Sequence, residues 1–286
     1  MLITSKDNQT IKEIKKLKEK KYRKDKFIIE GIKMIKEAIS EDIEIEYLIF
    51  ADLSLEKEIN NIEKYNVLEV TERVLQELSD VVSPQGVLAV VRKKCYSGMK
   101  KSEKNKEEHE KKEIKEDLLD KYNIDYNSEY ILALDGLQDP GNMGTIIRTA
   151  DSANINQIIV SKSTVDSYSS KVIRSTMGAI FRVNVIEVEN LVETLNTLKN
   201  KGFDIISTSL DTNNSIYNIT YKKSVVVIGN EANGVTKDVQ EISNKKVKIP
   251  MLGKTESLNA SVAAGIMIYE YVRQKVENKA LKTNKG

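Results

Sequence analysis

The sequence predicts an α/β protein with two domains, a small N-terminal α/β/α domain and a larger C-terminal domain with a mainly parallel sheet. Apolar, β-capable runs alternate along the chain with segments whose apolar residues recur at helical spacing, which is typical of α/β folds. Several C-terminal runs are continuously apolar, such as residues 225–228, as expected of parallel strands that are covered on both faces. We therefore divide the chain into a domain at 1–93, a charged linker at 94–128 and a domain at 129–286.

Composition limits the classes of protein to consider. The 286 residues are 40% hydrophobic, which is enough to bury two cores. The net charge is only +2, but residues 6–26 contain ten Lys or Arg against four Asp or Glu, so the basic excess is local. A single cysteine, Cys95, excludes an internal disulfide and a thiolate zinc site, and we expect no metal. Because no apolar run approaches a membrane span or a signal peptide, we expect a soluble, cytoplasmic protein without a membrane partner.

The first domain is predicted to begin with a basic amphipathic helix within residues 1–26, where Ile11, Ile14 and Leu17 recur at helical spacing among lysines. Two interpretations of the lysines stay open, a solvated face and a contact with RNA phosphates. The remainder alternates strands and helices. Strands are predicted at 27–29, 46–50, 67–70 and 86–91, and helices at 31–40, 54–65 and 71–78.

Residues 97–127 interrupt this alternation. The stretch from Lys100 to Lys121 contains eight lysines and eight acidic residues with hardly any apolar side chains, so it cannot form a core of its own. We predict an exposed linker or a solvated helix. Because its charges cancel, a role in RNA capture is not favoured. The only histidine, His109, also lies in this run.

The second domain is predicted to contain six strands with helices between them. The strands lie at about 130–135, 157–161, 183–188, 203–207, 224–229 and 246–250. In open parallel sheets, ligands bind beyond the carboxyl ends of the strands, where loops and helix N-termini present backbone N–H groups. The loops after three of these strands are therefore candidates for a functional site.

The first candidate loop contains the turn Asp139-Pro140-Gly141-Asn142 and leads into a helix over 143–154. Helical spacing predicts a buried stripe of Ile146, Ile147, Ala150 and Ala153, and an opposite polar face of Gly144, Thr145, Arg148, Asp151 and Ser152. Arg148 would then face the cleft or a partner. The alternative is an ordinary surface arginine paired with Asp151 one turn away.

Two more loops have a similar character. Residues 229–235 place glycines on either side of Glu231, although a turn with a solvated glutamate would look the same. Residues 250–257 end at Ser257, which can cap the following helix at 258–272. That helix is small and apolar nearly all round, which predicts core packing or a dimer contact. Three such loops in one domain predict a cleft.

The motifs in these loops resemble a known family. They read Asn142-x-Gly144-x-Ile146-x-Arg148-Thr149-Ala150, Gly229-Asn230-Glu231-x-x-Gly234-Val235, and Ile249-Pro250-Met251 with Ser257-Leu258-Asn259. In this order and spacing they resemble the SpoU/TrmH (SPOUT) family of RNA ribose 2′-O-methyltransferases over about residues 130–275. The segment 27–31 is similar to that family's ribosomal-protein-like substrate-binding domain, which extends the resemblance to most of the chain.

The resemblance implies S-adenosylmethionine as methyl donor and a catalytic domain whose C-terminal segment forms a trefoil knot, against the general rule that chains are un-knotted. It implies five active-site positions, which are Asn142, Arg148, Glu231, Ser257 and Asn259. It also implies five residues in or near the donor pocket, which are Gly229, Ile249 and Leu258, largely through backbone, with Thr208 and Ser209 close by. The charged insert is the main departure from the family pattern.

The resemblance also implies partners. Family members pair through the knotted domain, so we expect a homodimer through the C-terminal domain. We expect the substrate to be RNA, and more specifically 23S ribosomal RNA, because members that act on transfer RNA generally lack a separate N-terminal domain of this kind. A transfer RNA substrate stays an alternative. The basic residues at 12–24 would then contact RNA phosphates.

The chemistry must deprotonate a weakly acidic ribose hydroxyl in line with the donor methyl. The family proposal makes Arg148 the base with help from a substrate phosphate, whereas a guanidinium pKa above about 12 favours a role as phosphate anchor and alkoxide stabiliser. The identity of the base stays open. Two other classes are considered, a non-catalytic RNA-binding or ribosome-assembly protein with the same fold and an unrelated nucleotide-binding enzyme. The second lacks support because no Gly-x-Gly-x-x-Gly follows a strand.

Overall fold

A computed structural model describes residues 2–94 and 118–283, and these fall into two compact units. One unit contains the described residues up to 94 together with Asp166–Arg182, and the other contains 118–165 and 183–283. Cys95, His109 and most of the predicted charged linker lie outside the described residues. None of the described helices is long and apolar enough to cross a membrane.

The elements follow the predicted alternation. Before the charged segment they are α1 (Gln9–Lys16), β1 (Lys26–Glu30), α2 (Ile32–Ser40), β2 (Ile45–Phe50), β3 (Val67–Glu69), α3 (Glu72–Leu78) and β4 (Val87–Arg92). After it they are α4 (Leu118–Lys121), β5 (Tyr130–Asp135), α5 (Pro140–Ser152), β6 (Gln157–Ser161), α6 (Ser170–Thr176), β7 (Asn184–Val188), α7 (Leu191–Asn200), β8 (Asp204–Thr208), β9 (Ser224–Gly229), α8 (Lys237–Ile242), β10 (Lys245–Val247) and α9 (Ala260–Thr283).

The first unit has a four-stranded sheet in the order β1-β4-β2-β3, with β3 parallel to β2 and the other pairs antiparallel. The predicted apolar stripe of α1 is confirmed, since Ile11, Ile14 and Leu17 are buried in one cluster with residues of α3, β2 and β4. The basic helix is shorter than expected. It ends at Lys16, and a short 3-10 helix follows at Lys20–Tyr22.

The predicted helix at 54–65 is wrong. The structure has two 3-10 helices there, Leu53–Glu58 and Ile62–Lys64. Ile59 between them is extended, and Asn61 takes the left-handed conformation at φ 55°, which asparagine tolerates better than most residues. The apolar residues of this segment recur at helical spacing, but the turn at the asparagines prevents a continuous helix.

The segment Asp166–Arg182 leaves the loop after β6 and packs within the first unit. Its helix α6 contacts β1, and Tyr168 lies 4.9 Å from Phe27 between ring centroids. Arg23 holds the segment through Nε, which donates to Asp166 Oδ2 at 3.1 Å, while Arg182 pairs with Glu37 at 3.0 Å. The first unit is therefore built from two separate stretches of the chain.

The second unit has a six-stranded sheet in the order β10-β8-β9-β5-β6-β7, and all of its strand pairs are parallel. This confirms the predicted parallel sheet and its strands. The core also includes Leu119 and Ile124, which the sequence had assigned to the linker. The core of this unit therefore begins before residue 129, because these two side chains are buried with residues of the sheet.

Candidate active site

The carboxyl ends of neighbouring strands bring the candidate loops together. Strand β9 lies between β8 and β5, and Asp135 at the end of β5 pairs with Gly229 at the end of β9. Beyond β9, the edge strand β10 pairs with β8 up to Val247 opposite Thr208. The loops that follow β5, β8, β9 and β10 therefore leave the same edge of the sheet, as predicted for a cleft.

Helix α5 begins in the first of these loops. Asp139 is its N-cap and accepts a hydrogen bond from the Asn142 backbone N–H at 2.8 Å, while Pro140 occupies the first turn, where its missing N–H costs nothing. Gly136 has φ 73°, and its N–H donates to the hydroxyls of Ser161 at 2.9 Å and Thr164 at 3.2 Å. These contacts fix the direction in which α5 leaves the sheet.

The Glu231 carboxylate binds the start of α5 from the neighbouring loop. Its Oε1 accepts from the Asp139 backbone N–H and from Asn142 Nδ2, each at 3.0 Å, and its Oε2 accepts from the Gln138 backbone N–H at 3.0 Å. Burial opposes ionisation of Glu231, but these hydrogen bonds outweigh it and lower the pKa of the carboxyl. Glu231 is thus a stabilised anion whose acceptor positions are largely used.

The Asn142 amide, in the first motif, is hydrogen-bonded to one residue of each of the other two motifs. Because a carboxylate only accepts, Asn142 must direct Nδ2 at Glu231 and Oδ1 away from it. Oδ1 accepts from Asn259 Nδ2 at 2.9 Å, and Asn259 Oδ1 in turn accepts from the Ser261 backbone N–H at 2.9 Å. Asn142 is only 8% exposed, so this orientation is enforced in a largely buried position.

Asn259 is therefore the residue that caps α9, and it also accepts from the Val262 backbone N–H at 3.3 Å. The prediction that Ser257 caps this helix is wrong. Ser257 is exposed and two residues before the cap, and it forms no hydrogen bond with any other residue that the structure describes. The Asn259 side chain reaches two N–H groups of the first turn from its own position, which leaves the serine hydroxyl free.

Arg148 lies on the exposed face of α5, as predicted. Its guanidinium forms no ion pair or hydrogen bond with any residue in the described parts of the chain, so the alternative of a surface pair with Asp151 has no support. One detail of the predicted polar face is wrong, because Gly144 is buried. Helices α5 and α9 pack against each other, and a Cβ on Gly265 of α9 would lie 3.9 Å from the Thr149 methyl group. An unpaired exposed cation on the helix whose first turn carries Asn142 is free to bind an anionic ligand.

The five residues implied for the donor pocket lie at strand ends or in the loops at this edge. Thr208 Oγ1 donates to the Val227 carbonyl at 3.1 Å, and the Ser209 N–H donates to the Val247 carbonyl at 2.9 Å. These bonds hold the three loops side by side. Ile249 and Leu258 are half-buried. Leu210 and Leu252 are highly exposed in the same loops, so apolar side chains and loop backbone are both available to an adenosyl group.

Gly229 is required by a close approach that the sequence did not indicate. A Cβ there would lie 2.0 Å from the Gly234 carbonyl carbon. The glycine is therefore needed for the loop to pack against its own backbone, whether or not a ligand also approaches it. Asn230 and Gly234 exchange two backbone hydrogen bonds of 2.9 Å, and Gly234 has φ 67°.

Sequence reasoning gave no role to four residues that hold the loops together: Asp135, Gln138, Asn230 and Thr236. Asn230 Nδ2 donates to the Gly136 carbonyl at 2.8 Å, and Gln138 Nε2 donates to the Ser163 carbonyl at 2.6 Å. One signal was present in the sequence. Asp135 is a carboxylate at the end of a fully apolar strand, where a buried charge needs partners.

Comparison with known proteins gives two family matches. The SpoU rRNA methylase family matches residues 129–269, and the MRM3-like substrate binding domain matches residues 8–89. A Staphylococcus epidermidis protein assigned to the TrmH family of tRNA/rRNA methyltransferases is 32% identical over 255 residues, which cover 87% of this chain and 96% of the relative. Staphylococcus aureus proteins of the same assignment are 39% identical over 146 residues, so the match covers 51% of this chain and only 59% of their length.

Two solved structures resemble most of the chain. An RNA 2′-O ribose methyltransferase superposes with a TM-score of 0.69 at 29% identity, over 96% of this chain and all of the other. An rRNA methyltransferase from Sinorhizobium meliloti with bound AdoMet superposes with a TM-score of 0.75 at 28% identity, over 96% of this chain and 97% of the other. Both likenesses extend over the two units.

Proposed function

Because the chain belongs to the SpoU/TrmH family of RNA methyltransferases, we propose that it transfers a methyl group from S-adenosylmethionine to a ribose 2′-hydroxyl of RNA. The observation that carries the proposal is the hydrogen-bonded series Glu231, Asn142 and Asn259 at the start of α5, the helix that also carries the unpaired Arg148. This series joins all three sequence motifs at one edge of the parallel sheet. By their own descriptions both solved relatives are RNA methyltransferases, and the Sinorhizobium meliloti enzyme has AdoMet bound.

The donor would be held by the backbone at Gly229, Ile249 and Leu258 with Thr208 and Ser209 nearby. When bound, it supplies an electrophilic methyl group on a sulfonium. The knot implied by the family resemblance stays a prediction.

Arg148 binds a phosphate of the RNA and stabilises the negative charge that develops on the ribose oxygen. A guanidinium stays protonated at neutral pH, so it acts as an electrostatic and bidentate group rather than as a proton acceptor. Glu231 does not accept the proton either, because three donors already use its oxygens and its pKa is lowered. Glu231 and Asn142 instead orient the helix that carries Arg148.

We propose ribosomal RNA, and 23S RNA in particular, as the substrate. The match of residues 8–89 to a substrate-binding domain supports recognition by the first unit. Not every predicted basic residue is equally available, because Lys18 and Arg23 are the least exposed and pair with Asp80 and Asp166. The remaining predicted contacts are Lys12, Lys15, Lys16, Lys20, Lys21 and Lys24. Exposed surface pairs are weak, so most of these lysines can exchange a carboxylate for a phosphate.

We also propose a homodimer through the second unit. Val262, Tyr269 and Val276 lie seven residues apart on α9, which places them on one face of the helix, and they are 49%, 51% and 60% exposed. An apolar stripe of this kind on a helix that already packs on α5 is suited to a second copy of the same helix.

We further propose that the protein acts in the cytoplasm, where ribosomal RNA is available.

The test mixes the full-length protein with labelled S-adenosylmethionine and separated ribosomal and transfer RNA. Ribosomal RNA should be labelled at a ribose 2′-oxygen, and the labelled nucleotide can be mapped by its resistance to alkaline cleavage. Preferred labelling of transfer RNA would overturn the substrate proposal, and RNA binding without any labelling would favour a non-catalytic RNA-binding protein.

A further inference from the structure

Asp135 is a buried carboxylate that the proposed chemistry does not use. It is 5% exposed at the carboxyl end of β5. Within residues 2–94 and 118–283, no lysine, arginine or histidine forms an ion pair with it. A buried carboxylate without a cation is costly unless hydrogen-bond donors compensate it. The groups that donate hydrogen bonds to the Asp135 carboxylate therefore indicate which segment it holds in place.

Among the described residues, both hydrogen bonds to its carboxylate come from Thr236. Asp135 Oδ2 accepts from the Thr236 backbone N–H at 2.8 Å and from the Thr236 hydroxyl at 2.7 Å. Thr236 occupies the N-cap of α8 without capping it through its own side chain, because the hydroxyl donates to Asp135 instead. The contact therefore takes the place of a local helix cap and joins two loops that are 101 residues apart.

The contact closes the loop that contains Gly229. At the start of the loop, Asn230 donates to Gly136, and Glu231 accepts from the start of α5. At its end, Thr236 is held by Asp135, which also pairs in the sheet register with Gly229. Both ends of the loop are thus bonded to the chain that leaves β5. A backbone held in this way pays less ordering entropy when it binds a ligand.

We propose that Asp135 is a positioning residue for donor binding, which fixes the loop 229–236 through Thr236 and so preorganises the Gly229 backbone. This inference rests on the proposed function. Both hydrogen bonds end on one oxygen, so the geometry requires an acceptor at that place rather than a negative charge. An asparagine whose amide oxygen replaces Oδ2 satisfies the same requirement.

The test measures binding of S-adenosylmethionine and S-adenosylhomocysteine to the full-length protein by calorimetry in the absence of RNA. Asp135→Ala should weaken both ligands by about tenfold, the loss expected for two hydrogen bonds of modest net value. Asp135→Asn should stay within about twofold of wild type, and Thr236→Val should lie between the two. The double variant Asp135→Ala/Thr236→Val should be no weaker than Asp135→Ala alone, because both changes remove the same contact.

A second readout does not depend on the donor. In the ligand-free protein, hydrogen exchange of the Thr236 amide should be faster in Asp135→Ala and unchanged in Asp135→Asn. Asp125→Ala is the matched control. That side chain accepts from the Asn127 backbone N–H at 2.9 Å before β5, at the opposite end of the strand, and its loss should leave donor affinity unchanged.

Three outcomes would overturn the inference. One is unchanged donor affinity in Asp135→Ala, and a second is an Asp135→Asn variant as weak as Asp135→Ala, since the charge and not the acceptor would then matter. The third is an equal loss in the Asp125→Ala control. If the wild-type protein binds neither ligand, the proposed function itself fails, while the exchange measurement still reports whether Asp135 holds Thr236.

Discussion

Arg148 has an exposed guanidinium on a helix whose position is fixed, since hydrogen bonds among Asp139, Glu231 and Asn142 hold the start of α5. We expect Arg148→Ala to reduce methyl transfer by at least about 100-fold, while donor affinity and thermal stability stay near wild type. Arg148→Lys should be nearly as inactive, because an ammonium cannot reproduce a bidentate grip on phosphate. Turnover and donor binding measured separately provide the check.

Thr145 provides a matched control for this substitution. It lies on the same exposed face of α5 and bonds only to the Gly141 carbonyl through its hydroxyl. Thr145→Ala should retain most of the turnover. An Arg148→Ala enzyme that keeps more than a few per cent of wild-type turnover would show that the guanidinium is not where charge develops.

The lowered pKa of Glu231 predicts a pH dependence of stability. The carboxyl has a lower pKa when folded than when unfolded, so its anion stabilises the fold at pH values above the unfolded pKa of about 4.3. That stabilisation is lost as the pH falls from there through the folded pKa. Glu231→Gln should therefore show a flatter fall in the free energy of unfolding over this acid range, as measured by urea titrations at successive pH values.

Glu193→Gln removes an equal charge from the exposed surface of α7 and should leave the acid dependence of the wild type in place. The same slope in both variants would mean that the hydrogen bonds to Glu231 do not stabilise its anion.

At neutral pH, Glu231→Gln should also slow methyl transfer, because an amide nitrogen would face the Gln138 N–H in place of an oxygen.

Helix α9 carries an exposed apolar stripe, formed by Val262, Tyr269 and Val276. We expect Val262→Glu/Val276→Glu to convert a dimer into a monomer, because two charges would enter the apolar stripe at the proposed interface. Sedimentation at micromolar concentration is the measurement. Leu53→Glu, a similar exposed apolar residue in the first unit, should leave the dimer intact. A wild-type protein that sediments as a monomer would contradict the proposal directly.

Elements with a strong local signal could be predicted from the sequence. Several strands of the second unit are continuous apolar runs, and each predicted strand has a counterpart in the structure. The helix at 54–65 was wrong because spacing alone does not register a left-handed Asn61. The cap of α9 was assigned to Ser257 because both serine and asparagine are good caps, and only the geometry distinguishes them.

In the candidate site, likewise, the motif residues could be predicted from the sequence and the contacts between loops could not. Motif residues such as Arg148 and Asn142 could be named from the sequence, since they resemble a family and sit beside turn residues. The contacts between Asp135 and Thr236, or between Gly229 and Gly234, depend on how loops pack after the sheet has formed. Such long-range hydrogen bonds leave no periodic pattern in the sequence.

For the whole molecule, the distribution of lysines predicts a salt dependence of RNA binding. If about five lysines of the segment 12–24 neutralise phosphates, log affinity should fall with log salt at a slope of roughly −4. Replacing Lys12, Lys16 and Lys21 with glutamine should make that slope shallower by about 2 to 3. The affinity is measured by filter binding at several salt concentrations.

Lys36, Lys57 and Lys64 are exposed lysines elsewhere in the same unit and serve as the control with an equal change in charge. Replacing them should lower the affinity less and leave the slope nearly unchanged. Equal effects of the two triple variants would indicate a diffuse field rather than a contact made by the segment 12–24.

The first unit is completed by Asp166–Arg182, a stretch that follows β6. A fragment that starts near residue 129 would carry Val172, Ile173 and Phe181 without the partners that bury them. A protease site introduced between residues 94 and 118 should consequently yield two pieces that elute together and keep activity, and the pieces expressed from separate genes should reconstitute the enzyme. The two halves of this chain would then behave as a split protein, and neither could be exchanged between homologues as a self-contained cassette.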